Sequence, residues 1–324
     1  MNDDQNSRFW AAQHFSLTED QIRARLDPIR LIGALAAAFR DRYPAIVIPP
    51  RTHIPLAGGI FLIMPCYDRS GGVLGMKLVT VQSNPPRAQD RIQATYMLMD
   101  SASARPTLMI PANYLTDLRT AATSAVATKF LAPEDAQVLG IFGTGRQART
   151  HIKVLPLVRN FQRVLVCGKD CEQSRNFAAA MSEAMNLPVD PVDAATCAAE
   201  ADVICTCTTA HDPLFDGSLL RPSTHLNLVG AFQPNAREVD SVTIQRSRVV
   251  VDSYDAVLAE AGDILIPMSE GLITRDHLMA DLHELTSGKR VRRHRDEITV
   301  FKSVGCALED LVAAELLQGN AGAR

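Results

Sequence analysis

No stretch of this sequence stays apolar for the roughly 18 residues that a membrane-crossing helix needs, so no bilayer span is expected. Charge of one sign is equally scarce. The 33 Lys and Arg against 36 Asp and Glu leave a formal net charge of −3, which offers no field to attract nucleic acid or an anionic membrane. The seven cysteines are an odd number in a long chain and do not read as a disulfide framework. Cys205 and Cys207 would share one face of a strand, but no second pair completes a zinc site, and Cys167 and Cys171 lack one too. Buried thiols and no metal are expected. His53 and His151 stand alone, without metal spacing, and read as structural. The opening residues Met-Asn-Asp-Asp-Gln-Asn-Ser are polar and acidic, unlike a signal peptide, so a cytoplasmic location is expected. What remains is 324 residues, 47% hydrophobic and 21% charged, enough for about two well-packed domains.

The most telling feature present is Gln-Val-Leu-Gly-Ile-Phe-Gly-Thr-Gly-Arg-Gln-Ala at 137–148. An apolar run ends in Gly143-x-Gly145-x-x-Ala148 and a helix-like stretch follows, the order a dinucleotide's pyrophosphate requires. Gly143 permits the tight turn, Gly145 lets the backbone approach the phosphates, and Ala148 lets helix and strand pack closely. The helix N-terminus then presents free N–H groups to the anion, with Thr144, Arg146 and Gln147 beside it.

Around this motif the chain reads as α/β. From about 135 to 302, strand patterns at Val138–Phe142, Arg163–Cys167, 202–207, 225–229 and 249–251 alternate with helical ones, including 146–158 and 170–185. Such alternation predicts a Rossmann, doubly wound parallel sheet. Before it the pattern is mixed: a capping box at Ser16-Leu-Thr-Glu19, a helix over 27–39, strands over 60–64, 73–81 and 92–99, and an Ala-rich helix over 116–131. Helical spacing returns at 306–317. The expected division is an α+β substrate-binding and dimerisation domain, residues 1–131 with 306–324, and a dinucleotide-binding domain, 132–305.

Several blocks, in order, resemble the ornithine cyclodeaminase/mu-crystallin family: Gly75-Met-Lys77-Leu-Val-Thr80, Leu118-Arg119-Thr120-Ala-Ala-Thr-Ser-Ala125, the Gly143 turn, Leu228-Val-Gly230-Ala231, and Val300-Phe-Lys-Ser-Val-Gly305-Cys-Ala-Leu-Glu-Asp310. The resemblance implies a homodimer formed through the sheet of the first domain and an active site using both domains. It also implies chemistry at a carbon bearing nitrogen and a carboxylate, with hydride exchanged with a nicotinamide. Arg51 and Arg119 match the family's carboxylate-binding arginines and Lys77 its active-site lysine. A guanidinium grips a carboxylate with two parallel bonds, whereas an ammonium is a movable donor. Thr120, Thr208, Ser303 and Gly305 match cofactor-side positions. Lys77 lies in an apolar strand, where an exposed face remains open on alternation alone. Arg119 is expected at the start of the Ala-rich helix, opposing its dipole.

One departure separates the family's chemistries. Its deaminating members carry an aspartate two residues after the glycine of the Gly-Ala turn; here that residue is Phe232. Deamination needs a carboxylate to handle the amine, which phenylalanine cannot do. Imine reduction asks only for hydride and a proton, which Lys77 supplies if burial and neighbouring arginines lower its pKa. Glu238 and Asp240 read as helix-start residues. The expected activity is therefore reduction of an α-imino acid, with an ornithine cyclodeaminase-type lyase and a non-catalytic dinucleotide-binding protein as the alternatives. At the end of the second Rossmann strand, Gly168-Lys169 stands where NAD sites keep an acid, so NADPH is the favoured cofactor and NADH the other candidate. The basic run at 289–295 is flanked by acids and reads as a solvated loop.

Overall fold

The computed structural model describes residues 16–86 and 91–319; the polar opening residues read above lie outside them. Two compact units emerge, one of residues up to 27, 44–116 and from 307 on, the other of 28–43 and 117–306. The helix Asn113–Leu131 begins in the first and continues into the second.

The first unit is built on an antiparallel sheet. Its strands are β1 (Ile46–Val47), β2 (Thr52–Leu56), β3 (Gly59–Asp68), β4 (Val73–Gln82), β5 (Ile92–Asp100) and β6 (Arg105–Pro111), in the order β1-β3-β4-β5-β6 with β2 also on β3. The sequence pattern located β3, β4 and β5 but not β1, β2 or β6. β2 contains Pro55 and β6 contains Pro106 and Pro111, residues that read as breakers yet are tolerated on strands at a sheet edge. Alternation sends Leu62, Met64, Cys66, Gly75, Lys77, Val79, Ala94, Tyr96, Leu98, Leu108 and Ile110 to one buried face. The C-terminal helix Ala307–Gly319 packs on β3, β4 and β5. The first described helix, Glu19–Arg25, is capped by Thr18 and Gln21 rather than by the expected Ser16 and Glu19.

The second unit carries a parallel sheet: β7 (Val138–Phe142), β8 (Arg163–Cys167), β9 (Val189–Pro191), β10 (Val203–Thr206), β11 (His225–Leu228), β12 (Ser247–Val251), β13 (Leu278–Asp281) and β14 (Ile298–Lys302). The order is β13-β12-β14-β11-β10-β7-β8-β9. From β7 the chain winds outward through β8 and β9, then returns to β10 on the other side. That reversal opens a crevice at the carboxyl ends of β7 and β10, where open α/β sheets bind ligands. The expected doubly wound sheet beside an α+β unit is the fold observed.

Candidate functional site

Gly143 ends β7 with φ of +111°, a conformation glycine adopts without strain. A Cβ there would stand 2.6 Å from the Cys207 carbonyl, so the turn rests on the loop after β10. Gly145 differs: a Cβ would meet nothing within 4 Å, so its backbone borders open space. Gly145 is also the N-cap of the helix Arg146–Val154, and no side chain caps that end. Uncapped N–H groups facing open space fit a pyrophosphate. Ala148 is fully buried in the helix. Arg146 and Gln147 are turned toward Asp117, which accepts from Arg146 Nε at 2.8 Å and from Gln147 Nε2 at 3.3 Å.

At the end of β8, Asp170 accepts from the Gln173 N–H at 2.7 Å as the N-cap of the helix Cys171–Met185. Its role is therefore local. Thr144 Oγ1 donates to Gln173 Oε1 at 2.9 Å, and a side chain on Gly168 would press on Ser174 and on the Thr144 methyl. Lys169 is exposed and in no ion pair among the described residues.

Thr208 is held by Glu238, which accepts from its N–H at 2.8 Å and its hydroxyl at 2.7 Å. Asp240 caps the helix Ser241–Gln245, as expected. Glu238 does not start a helix; it is fully buried, and burial beside Asp263 pushes its carboxyl above the usual carboxylate range. Phe232, in the turn after β11, is half-buried and packs against the apolar core of this unit.

Ser303 and Gly305 follow β14. Both answer to Asp252, whose Oδ2 accepts from Ser303 Oγ at 2.9 Å and from the Val304 and Gly305 N–H groups at 2.8 Å. Gly305, with φ of +91°, lies against Arg119: a Cβ there would be 3.0 Å from the guanidinium. Arg119 is the seventh residue of the helix Asn113–Leu131, not its first turn, so the expected opposition to the dipole does not arise. It is 5% exposed, and Thr120 beside it is also buried.

In the first unit, Arg51 immediately precedes β2 and is half-buried. Lys77 lies on the covered face of β4 and is 1% exposed. Its Nζ donates to Asp310 Oδ1 at 2.9 Å and lies 2.7 Å from Oδ2. The open alternative, an exposed Lys77, is thus overturned. Asp310 comes from the C-terminal helix and was not read as a site residue, although it ends the last family-like block. A lysine buried among apolar strand residues is itself the signal that an acid must be near. Tyr96 is the cross-strand neighbour of Lys77 on that face, and Met64 is its neighbour on β3.

Two other readings are corrected. Cys171 is exposed and Cys167 and Cys207 are half-buried, so not every thiol is buried. The basic run hides a structural arginine: Arg292 donates to the carbonyls of Leu131, Ser223, Arg295 and Glu297 and to Thr299 Oγ1. Among the described residues no three His, Cys, Asp or Glu side chains are grouped as a metal would require, and no helix is long and apolar enough to cross a membrane.

The family model for ornithine cyclodeaminase/mu-crystallin proteins matches residues 14–324. Delta(1)-pyrroline-2-carboxylate reductase of Bacillus cereus is 36% identical over 284 residues, 85% of this chain and 86% of that protein. Ketimine reductase mu-crystallin of Rattus norvegicus is 33% identical over 309 residues, 93% and 95% of the two chains. The structure of Thermococcus litoralis Delta(1)-pyrroline-2-carboxylate reductase in complex with NADH and L-proline superposes with a TM-score of 0.90 at 34% identity, covering 95% of this chain and 97% of that one.

Proposed function

This chain belongs to the ornithine cyclodeaminase/mu-crystallin family, and on that footing we propose that it is an NAD(P)H-dependent reductase of α-imino acids, taking a cyclic ketimine such as pyrroline- or piperideine-2-carboxylate, or an acyclic imino acid, to the amino acid. The observation that carries it within this chain is the turn after β11. Phe232 stands there in place of a carboxylate, and the nearest acid in sequence, Glu238, is occupied by hydrogen bonds from its own unit. No group at that turn is left to manage the departure of ammonia.

The nicotinamide, when bound, supplies the hydride. The chain's own residues do the rest. Arg51 and Arg119 hold the substrate carboxylate, each able to present two parallel N–H donors. Lys77, an ammonium with Asp310 as its counter-charge, gives the proton that leaves the product nitrogen charged. The Gly143–Gly145 turn, with Thr144, Arg146, Gln147, Ala148, Lys169 and Thr208, would hold the dinucleotide, and Thr120, Ser303 and Gly305 would serve its nicotinamide end; Phe232 would border the substrate. Because Asp170 is engaged as a helix cap and Lys169 is exposed, a 2′-phosphate suits this turn better than a free ribose diol, so NADPH is preferred over NADH.

The test is loss of nicotinamide fluorescence with NADPH or NADH and a panel of cyclic and acyclic imino acids. Oxidation with one imine, at a higher kcat/KM with NADPH, is expected. Bound cofactor with no oxidation anywhere in the panel, and ammonium released from ornithine, would replace this reading with cyclodeamination.

A further inference from the structure

Two adjacent parallel strands, β10 and β11, end in loops that face the ligand crevice, and a single carboxylate ties both together. Glu238 Oε1 accepts from the N–H and hydroxyl of Thr208. Its Oε2 accepts from the Thr206 hydroxyl and the Gly230 N–H, each at 2.7 Å, and from the Ala231 N–H at 3.3 Å. The loops approach so closely that any side chain on Gly230 would collide with the Thr208 backbone and the Glu238 carboxylate. The Gly143 turn rests on the same loop, with the Thr208 methyl 3.5 Å from where its Cβ would be. Through Glu238, the phosphate turn, Thr208 and the turn bearing Phe232 are thus contiguous.

Glu238 is in turn held from behind. Asp263 Oδ1 accepts from the N–H groups of Glu238 and Val239 at 2.7 and 3.1 Å. Its Oδ2 pairs with Lys302 Nζ at 2.8 Å, and Lys302 donates to the Ala231 carbonyl at 2.6 Å. Glu238, Asp263 and Lys302 are all buried, two acids against one ammonium. A buried anion is expensive unless its lone pairs are filled, and backbone N–H groups can only donate, so this pocket is shaped for the carboxylate rather than for its amide.

We propose that Glu238 is a positioning residue for imine reduction, fixing Thr208 and the turn at 230–232 in the register that seats the nicotinamide end of the dinucleotide against the imine carbon. It touches neither reactant. The proposal rests on the imine-reductase reading, and its consequence is a split between the two ends of the cofactor. The adenine ribose and its 2′-phosphate are served by the end of β8, whose hydrogen bonds run to Ser174 and Gln173 and not to Glu238. The nicotinamide end depends on it.

The experiment compares wild type and Glu238→Gln, each confirmed folded by circular dichroism. It measures affinity for whole NADP+, affinity for adenosine 2′,5′-bisphosphate as the adenine-end probe, and kcat and KM with the imine that wild type reduces. Misplacement of about 1 Å costs on the order of 100-fold in rate, so kcat should fall by about that factor in Glu238→Gln while affinity for the fragment is unchanged. Equal loss of fragment and dinucleotide affinity, or a lower melting temperature with kcat intact, would overturn the proposal in favour of a purely structural acid. Should Glu238→Gln fail to fold, Thr206→Val carries the test: it removes one donor to Oε2 and keeps shape, and unchanged kcat there also overturns it. If wild type reduces no imine, the failure belongs to the functional reading. The binding split, dinucleotide weakened and fragment not, then still decides the role of Glu238.

Discussion

An ammonium with as little solvent around it as Lys77 has persists only beside an anion, and Asp310 is that anion at 2.7 Å. The chemical role proposed for Lys77 and the structural role of the pair separate by mutation. Lys77→Met should lower kcat by about 10²–10⁴-fold, the usual worth of a positioned proton donor, while dinucleotide affinity stays unchanged. Lys77→Met and Asp310→Asn each strand a buried charge, and breaking such a pair costs about 3–5 kcal/mol of stability. Combining the two should restore much of the stability lost in Asp310→Asn alone, because the stranded charge is gone. Urea unfolding of the four proteins measures this coupling, and simple additivity would show that the pair is not the coupled unit described. At this scale the sequence was half legible. Lys77 declared itself by its apolar neighbours, whereas Asp310 lies 233 residues away and needs the C-terminal helix laid on β4 before the two meet. Glu238, Asp252 and Asp263 were opaque for the same reason: each serves backbone groups on loops that only the parallel sheet brings side by side.

The helix Arg146–Val154, which opens on the dinucleotide turn, is pinned at its far end by a histidine. His151 Nδ1 lies 2.8 Å from the Gln147 carbonyl and Nε2 2.9 Å from the Ser124 hydroxyl, tying this helix to Asn113–Leu131. Full burial lowers its pKa to about 4. A base depressed in the folded state lends its full stability above the unfolded value near 6.5 and loses it as pH falls toward 4. Stability should therefore decline by up to about 1.4 kcal/mol per pH unit across that window from this residue. In urea titrations at several pH values, the stability gap between wild type and His151→Gln should narrow as pH falls from 7 to 4; a constant gap would mean that His151 is not buried neutral. Elements as a whole were more legible than their partners. β7 and β8 were read to the residue because each is a short apolar run bounded by turn signals. β9 was missed because it is only three residues and ends in proline, and β14 because its apolar run carries Lys302, which only Asp263 makes tolerable in a core.

Across the whole molecule, the first unit's sheet has a second face whose composition calls for a partner. Register places Pro65, Met76, Met97 and Met109 in one cross-strand row opposite to the face bearing Lys77, with Ile63 and Leu78 in the next row. Met109 is 47% exposed. Methionines adapt to an apposed surface without a fixed jigsaw fit, which suits a symmetric interface where each row must meet its own copy. Such a row supports the homodimer through that sheet which the family resemblance implies. Carboxylates placed in the row would be desolvated in pairs across such an interface, a cost of several kcal/mol per ion, but would be harmless on a face open to water. Met97→Glu with Met109→Glu should therefore shift the wild-type dimer to monomer by sedimentation velocity while leaving the far-ultraviolet circular dichroism spectrum unchanged. A double variant that remains dimeric would move the interface elsewhere on the chain, and a monomeric wild type would overturn the dimer altogether.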